Sequence, residues 1–188
     1  MENARAQVAR ALELLETSLA SRSCLVSNAV LCELHSLAMV GLLPEVGQIR
    51  TDDVLIRGSR HEPPPWATVP ALLAEMYNYL NARPGDAIHE AAYAVWRINW
   101  IHPFAPDGNG RVARAVGLVL LFFRLGRMPP AKAGQRTFLH RLTQRKLDYN
   151  DALEAADRAH VAGLRDVSQL EKLLEDVLSE TLKDYLRE

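Results

Sequence analysis

From Ala115 to Phe123 no side chain is polar, and arginines close the run on both sides at Arg114 and Arg124. A membrane-crossing helix needs roughly 20 apolar residues in succession, so this run is too short to span a bilayer. It is also too uniformly apolar for a helix that keeps one face in water. What remains is a helix of about Asn109 to Leu125 at the centre of a globular core, stopped by Gly126 and Pro129-Pro130. With 188 residues, 48% hydrophobic and 24% charged, the chain is long enough to wrap one such core and is read as one domain. Its start, Met1 to Arg10, opens an amphipathic pattern where a secretory leader would show a basic start and an apolar stretch, which places the expected location in the cytoplasm.

Apolar residues recur at helical spacing in nearly every other segment, beginning with Val8, Leu12, Leu15 and Leu19, and the expected class is all-α. Further helices are predicted over about Ser27 to Leu42, Trp66 to Leu80, Ala87 to Ile101, Asp148 to Ala162 and Asp166 to Leu186, with breaks at Gly41 and Pro44, at Arg83-Pro84-Gly85 and at Pro103. The exception is Gly47 to Arg60. There Ile49, a turn-like Thr51-Asp52-Asp53, Val54-Leu55-Ile56 and a closing Gly58-Ser59 read as a small β-hairpin. Pro63-Pro64-Pro65 then forms a stiff extended connector, because proline fixes φ and biases its predecessor away from helix.

Charge is distributed unevenly. Residues 1–110 hold 8 Lys/Arg against 12 Asp/Glu, residues 111–146 hold 9 against none, and residues 147–188 hold 5 against 11. A basic block without an acid can attract nucleic acid, a nucleoside triphosphate or an acidic protein, and composition does not choose between them. Cys24 and Cys32, the two cysteines, have the spacing of neither a disulfide framework nor a zinc knuckle and are read as buried small hydrophobes.

The chemistry concentrates between His102 and Arg114. Gly108 and Gly110 can turn successive N–H groups toward an anion, and the helix starting near Asn109 adds its positive end, so the segment reads as a phosphate cradle. Arg111 and Arg114, three apart and read as sharing a face, can reach further phosphates, which suits a triphosphate. Asp107 is a hard oxygen ligand suited to Mg²⁺, and His102, released from its helix by Pro103, is the expected general base. Three other readings fail. A calcium loop needs a glutamate where Leu118 stands; the triphosphate loop G-x-x-x-x-G-K-(S/T) is absent; and His89-Glu90 lacks a second zinc histidine because Tyr93 occupies its place, leaving that pair expected at the surface.

Residues 102–114 resemble the signature of the Fic family, H-P-F-x-(D/E)-G-N-G-R-x-x-R. The resemblance implies a Fic-type bundle of about eight helices with a β-hairpin flap. It also implies a protein adenylyltransferase that moves AMP from Mg·ATP to the hydroxyl of a target Tyr, Thr or Ser. By the same resemblance His102 is the base, Phe104 anchors the loop, Asp107 holds Mg²⁺, and Gly108, Asn109, Gly110, Arg111 and Arg114 bind the nucleotide phosphates, while Tyr149 resembles a residue beside the adenine pocket. Gly110 favours AMP transfer, since kinase-like relatives carry lysine there. The catalytic domain is expected over residues 29–178, with the flap at 47–65 laying an extended target segment beside the site, a preceding helix over 1–28, and the end of the last helix at 179–188.

The sequence departs from the pattern in one respect. Ala105 and Pro106 separate Phe104 from Asp107 where the family has a single residue. A bulge at Ala105-Pro106 would leave both ends in place; otherwise the chain would be a catalytically impaired nucleotide-binding or interaction module. The family's inhibitory motif, (S/T)-x-x-x-E-(G/N), does not occur, so regulation is expected from a separate inhibitory protein, from assembly of copies, or not at all. No membrane partner is expected, and nucleic acid is disfavoured because few aromatics accompany the arginines.

Overall fold

The structure, a computed structural model, describes residues 2–82, 85–127 and 136–186. The Arg83-Pro84 break, the Pro129-Pro130 stop, Lys132 of the basic block and the last two residues of the 179–188 segment lie outside the described residues. Eight α-helices are present among those described: α1 Glu2–Ser21, α2 Asn28–Met39, α3 Val69–Ala82, α4 Ala87–Ile101, α5 Asn109–Arg124, α6 Phe138–Gln144, α7 Lys146–Val161 and α8 Ser168–Leu186. A 3₁₀ turn, Trp66–Thr68, leads into α3. Among the described residues no helix is long and apolar enough to cross a membrane.

The apolar run does form the centre. Every residue of α5 from Ala115 to Phe122 is buried, and α4 is buried without interruption from Glu90 to Ile98. These two helices pack along their lengths, with α1 and α2 against one side of α5 and α8 and α7 against α4. A Cβ on Gly117 would come within 2.6 Å of Val95 Cγ2, so glycine at this position sets how near the two central helices lie. Side-chain caps fix several starts: Ser27 accepts from the N–H of Val30, Asp86 from His89 and Thr137 from His140.

Four expectations change. The hairpin over 47–60 is not formed; no strand occurs among the described residues, and the one β-type feature is an isolated bridge between Val40 and Leu43. The segment is an extended excursion instead, because its backbone groups bond elsewhere, the Arg50 N–H donating to Pro103 O at 2.9 Å. The basic stretch contains an unexpected helix, α6, whose cap Thr137 was hidden among arginines. The His89-Glu90 pair is not a surface pair: Glu90 is 4% exposed and bonds Arg124 Nε at 2.6 Å, while His89 bridges Tyr79 Oη at 2.8 Å and Glu171 Oε1 at 2.6 Å. The packing of α8 over α4 covers that face, which a reading of α4 alone cannot see. Finally, Cys24 and Cys32 are free and only half-buried at the edge of the core.

The charge blocks meet each other. Arg141 and Arg145 of α6 and its end pair with Glu180, Asp184 and Asp176 of α8, and Arg124 pairs with Glu90. Three of the nine basic residues of the block are thus paired within the core and against α8, and near the α5 N-terminus stand Arg111, 3.7 Å from the exposed Asp107, and Arg114.

Candidate active site

Helix α4 ends at His102, whose backbone is left-handed (φ 53°, ψ 58°), a conformation uncommon outside glycine. Its N–H still donates to Ile98 O at 3.0 Å, and its ring Nδ1 lies 3.3 Å from Asn99 O. A carbonyl can only accept, so Nδ1 carries the proton and Nε2 keeps the lone pair a base requires. Burial lowers the imidazole pKa to about 4, the charges of His61 and Arg50 adding to the effect and the Asn99 hydrogen bond and Asp107 opposing it. His102 therefore rests neutral.

His102 lines two cavities. One, of about 410 Å³, lies between the excursion (Ile56 to Ser59, His61), the end of α4 (Asn99, Trp100) and α7 (Lys146, Asn150, Leu153, Glu154, Asp157). The other, of about 500 Å³, is bounded by Val54 to Arg57, Pro106 and Asp107. The α7 wall is held in place by Asp157, which accepts from Trp96 Nε1 at 2.8 Å and lies 3.5 Å from His61 Nδ1.

Between His102 and α5 the chain is closed by a single carboxamide. Asn109, 1% exposed, accepts from the Phe104 N–H at 2.9 Å and donates to Phe104 O at 2.8 Å. Phe104 is fully buried and stacks on His35, ring centroids 4.1 Å apart at 8°. Ala105 and Pro106 lie inside the loop that this carboxamide closes, with Pro106 exposed and the Phe104 and Asn109 ends anchored to each other; the Ala105-Pro106 bond is cis.

Gly108 caps α5 with φ 101°, and a Cβ there would lie 2.7 Å from His35 Cδ2 and 2.9 Å from Met39 Cγ. This is a place where only glycine fits. Among the described residues the N–H groups of Asn109 and Gly110 have no acceptor, as expected for the first turn of a helix, where such groups suit an anion. The Asp107 carboxylate, exposed, accepts from the Gly108 N–H at 2.6 Å and lies 3.7 Å from Arg111 Nη2. Among the described residues no cluster of three His, Cys, Asp or Glu could hold a metal alone. A lone carboxylate beside free helix N–H groups does fit Mg²⁺ that takes its remaining ligands from bound phosphates.

The other expected phosphate ligands are arranged differently from the sequence reading. Arg111 and Arg114 splay to opposite sides of the α5 start rather than sharing a face: Arg111 Nη1 contacts Met39 Sδ at 2.7 Å on α2, and the Arg114 guanidinium lies 5.5 Å from the Tyr149 ring centroid on α7. Among the described residues no carboxylate pairs with Arg114. Asn109 can offer a phosphate its backbone N–H, since its carboxamide is engaged with Phe104. Tyr149 is buried and absent from the cavity wall; its hydroxyl accepts from Asn99 Nδ2 at 2.9 Å, the Arg114 guanidinium lies over its ring, and its neighbours Lys146 and Asn150 face the cavity instead.

Three residues were given no site role from sequence, His61 entering only as part of the flap segment. His35 accepts the Gly47 N–H at Nδ1 (2.9 Å) and donates from Nε2 to Asp107 O (3.0 Å), joining the excursion's start to the loop; burial lowers its pKa and keeps it neutral. Arg50 and His61 bond carbonyls at the end of α4. A lone histidine among Leu31, Leu34 and Ala38 was the available signal for His35; Arg50 and His61 gave none.

The Fic/DOC family model matches residues 25–121, just over half of the chain and all of the loop described above. The chain belongs to the Fic/DOC family. It is similar to a probable protein adenylyltransferase of Aquifex aeolicus, 31% identical over 123 residues, which cover 57% of this chain and 38% of that protein. Fic-1 of C. elegans (residues 134–508) superposes with a TM-score of 0.71 at 26% identity, over 98% of this chain and 50% of that one. A Fic domain containing signaling protein of Bacteroides thetaiotaomicron gives 0.73 at 18% identity, over 100% of this chain and 73% of the other, which speaks for the fold alone. The chain thus spans well under half the length of the curated relative it matches.

Proposed function

We propose that this Fic-family chain is a protein adenylyltransferase, transferring AMP from Mg·ATP to the hydroxyl of a Tyr, Thr or Ser in a target protein. The observation that supports it most directly is the place of His102: a neutral imidazole at the junction of two cavities, one walled by α7 and one beneath Val54 to Ile56. In this reading the nucleotide enters from the α5 N-terminus toward α7, and the target hydroxyl arrives along the excursion, which takes the role of the flap over residues 47–65. Backbone pairing to an extended segment would place a hydroxyl with little demand on target sequence.

The target oxygen attacks the α-phosphorus in line, His102 Nε2 takes the hydroxyl proton, and pyrophosphate departs. Asn109 and Gly110 N–H groups and the α5 dipole hold phosphate oxygens, and Arg111 and Arg114, flanking them, hold the distal phosphates once they leave Met39 and Tyr149. Asp107 would hold Mg²⁺, which neutralises phosphate charge when bound. Residues 29–178 are taken as the catalytic unit, between a 1–28 helix segment and the 179–188 end. With no inhibitory motif in the sequence and no carboxylate on Arg114 among the described residues, a separate inhibitory protein or self-assembly is the proposed source of control.

The test is intact mass after incubation with Mg·ATP and candidate target proteins, with ATP labelled at the α-phosphate in parallel. Addition of one AMP, lost in His102→Ala, is the expected result; label arising only from the γ-position would overturn it. The second reading, an impaired nucleotide-binding module, rests on the extra loop residue and predicts equal, negligible transfer by wild type and His102→Ala.

A further inference from the structure

The last carbonyls of a helix have no partner of their own and need donors from elsewhere. At the end of α4 they receive them from the excursion: Trp100 O accepts from His61 Nε2 at 2.8 Å, and Ile101 O and His102 O accept from Arg50, at 3.4 and 2.9 Å. Arg50 bonds more widely than that. Its Nη1 donates to Asp52 O at 2.9 Å, its Nη2 to Pro64 O, and its backbone N–H to Pro103 O. The residue is 6% exposed, and its nearest carboxylate, the exposed Asp53, is 3.8 Å away. A buried cation with one distant carboxylate is expensive unless its donors are satisfied, and here four carbonyls, those of Asp52, Pro64, Ile101 and His102, accept from the guanidinium. The positive charge also sits at the negative end of the α4 dipole.

From this geometry we infer that Arg50 is a positioning residue for AMP transfer: it fixes His102 in its left-handed cap and pins both ends of the 52–64 loop to that cap. The base and the segment proposed to carry the target are then one rigid unit, and the distance between hydroxyl and imidazole is set by one guanidinium. Lysine cannot replace it, because three donors on one nitrogen cannot span carbonyls from Asp52 to Pro64 as a planar fork does.

The inference rests on the function proposed above, so its test carries two readouts. In the first, Arg50→Gln and Arg50→Lys are compared with wild type for transfer and for binding of an ATP analogue with a methylene bridge between the α- and β-phosphorus. Turnover is expected to fall by about tenfold or more while analogue affinity stays within about threefold, the split expected when only transition-state geometry is lost. Methylguanidinium added to Arg50→Ala is expected to restore part of the turnover. The second readout needs no activity: trypsin should cut after the exposed Arg57 and Arg60 at least about tenfold faster in the variants, because their loop is no longer pinned. Wild-type turnover and wild-type cleavage rates in a folded Arg50→Gln protein would overturn the inference, as would loss of analogue binding in step with turnover. Should wild type transfer nothing, the enzyme reading fails, and the cleavage rates still decide whether Arg50 holds the loop.

Discussion

The carboxamide of Asn109 bonds both the N–H and the C=O of Phe104, five residues before it, and so closes the loop that carries Asp107 and Gly108. The two bonds tie the loop's ends to each other, and Pro106, between them, is exposed. Deleting Pro106, which restores the family's spacing, is therefore expected to leave transfer within about threefold of wild type. Asn109→Ala should instead leave the Phe104 N–H and C=O buried and unpaired, at about 2–4 kcal/mol of stability, with transfer lost. Chemical denaturation and AMP incorporation measure the two effects; a large loss on deleting Pro106 would show that the added residue itself shapes the site.

Gly108 is held where a side chain cannot go. In Gly108→Ala the new methyl would meet the His35 ring under 3 Å at a backbone angle alanine resists, at about 1–3 kcal/mol for the backbone alone. His35 would have to give up its bond to Asp107 O, so ATP-dependent transfer should fall together with melting temperature. Gly110→Ala should be milder, because the nearest atom to its methyl, at 3.3 Å, is the end of the Arg114 side chain.

How much of this could be read in advance depends on where each partner came from. The core helix α5 and the loop chemistry were legible because their information is contiguous: an apolar run, then histidine, acid, glycines and arginines within thirteen residues. The excursion was misread as a hairpin because Val54-Leu55-Ile56 beside turn residues has strand character locally, whereas its actual bonds go to Pro103 and through Arg50 to α4. Arg50 and His61 were invisible because their partners are backbone carbonyls, which carry no sequence identity. Arg111 and Arg114 were placed on one face by helical spacing, but α2 and α7 draw them apart. Tyr149 matched a ligand-pocket pattern and is a buried support for Arg114.

Glu90 and Arg124 bind two ends of the central helix pair inside the core. Removing one partner leaves the other charge without compensation, so Glu90→Ala should lose about 3–5 kcal/mol in a denaturant titration. Glu90→Met combined with Arg124→Met should recover most of that loss, since an apolar pair of similar volume removes both charges at once. No recovery would mean that the hydrogen bonds from the Gly85 N–H to Glu90 and from Arg124 to Leu80 O matter more than the ion pair.

Arg114 and Arg111 start from different contacts, and their variants should separate kinetically. Tyr149→Phe removes the hydroxyl that Asn99 bonds and that polarises the ring beneath the Arg114 guanidinium, and is expected to change KM for ATP by a few-fold with the fold intact. Arg114→Ala should raise KM for ATP by about tenfold or more, as loss of a charged phosphate contact does. Equal kinetics in Tyr149→Phe and wild type would show that Tyr149 does not set where Arg114 rests.

The pH response follows from two histidines, His102, half-buried, and His35, buried. His102 has a folded pKa of about 4 against an ordinary value near 6.5, and His35 is also lowered by burial. Between those limits the unfolded chain binds more protons than the folded one, so stability rises with pH through the window and is flat above it. For His102 alone the gain across about pH 4 to 6.5 is at most about 3 kcal/mol, and acid should unfold the protein by charging these rings. The base form of His102 is likewise lost only near pH 4 as pH falls, so the acid limb of kcat/KM should lie well below pH 6 in every range where the protein stays folded. Measuring kcat/KM and the denaturant midpoint over the same pH series checks both signs; an acid limb centred near pH 6.5 would mean that the imidazole is solvated and that the cavity wall formed by the excursion is open in solution.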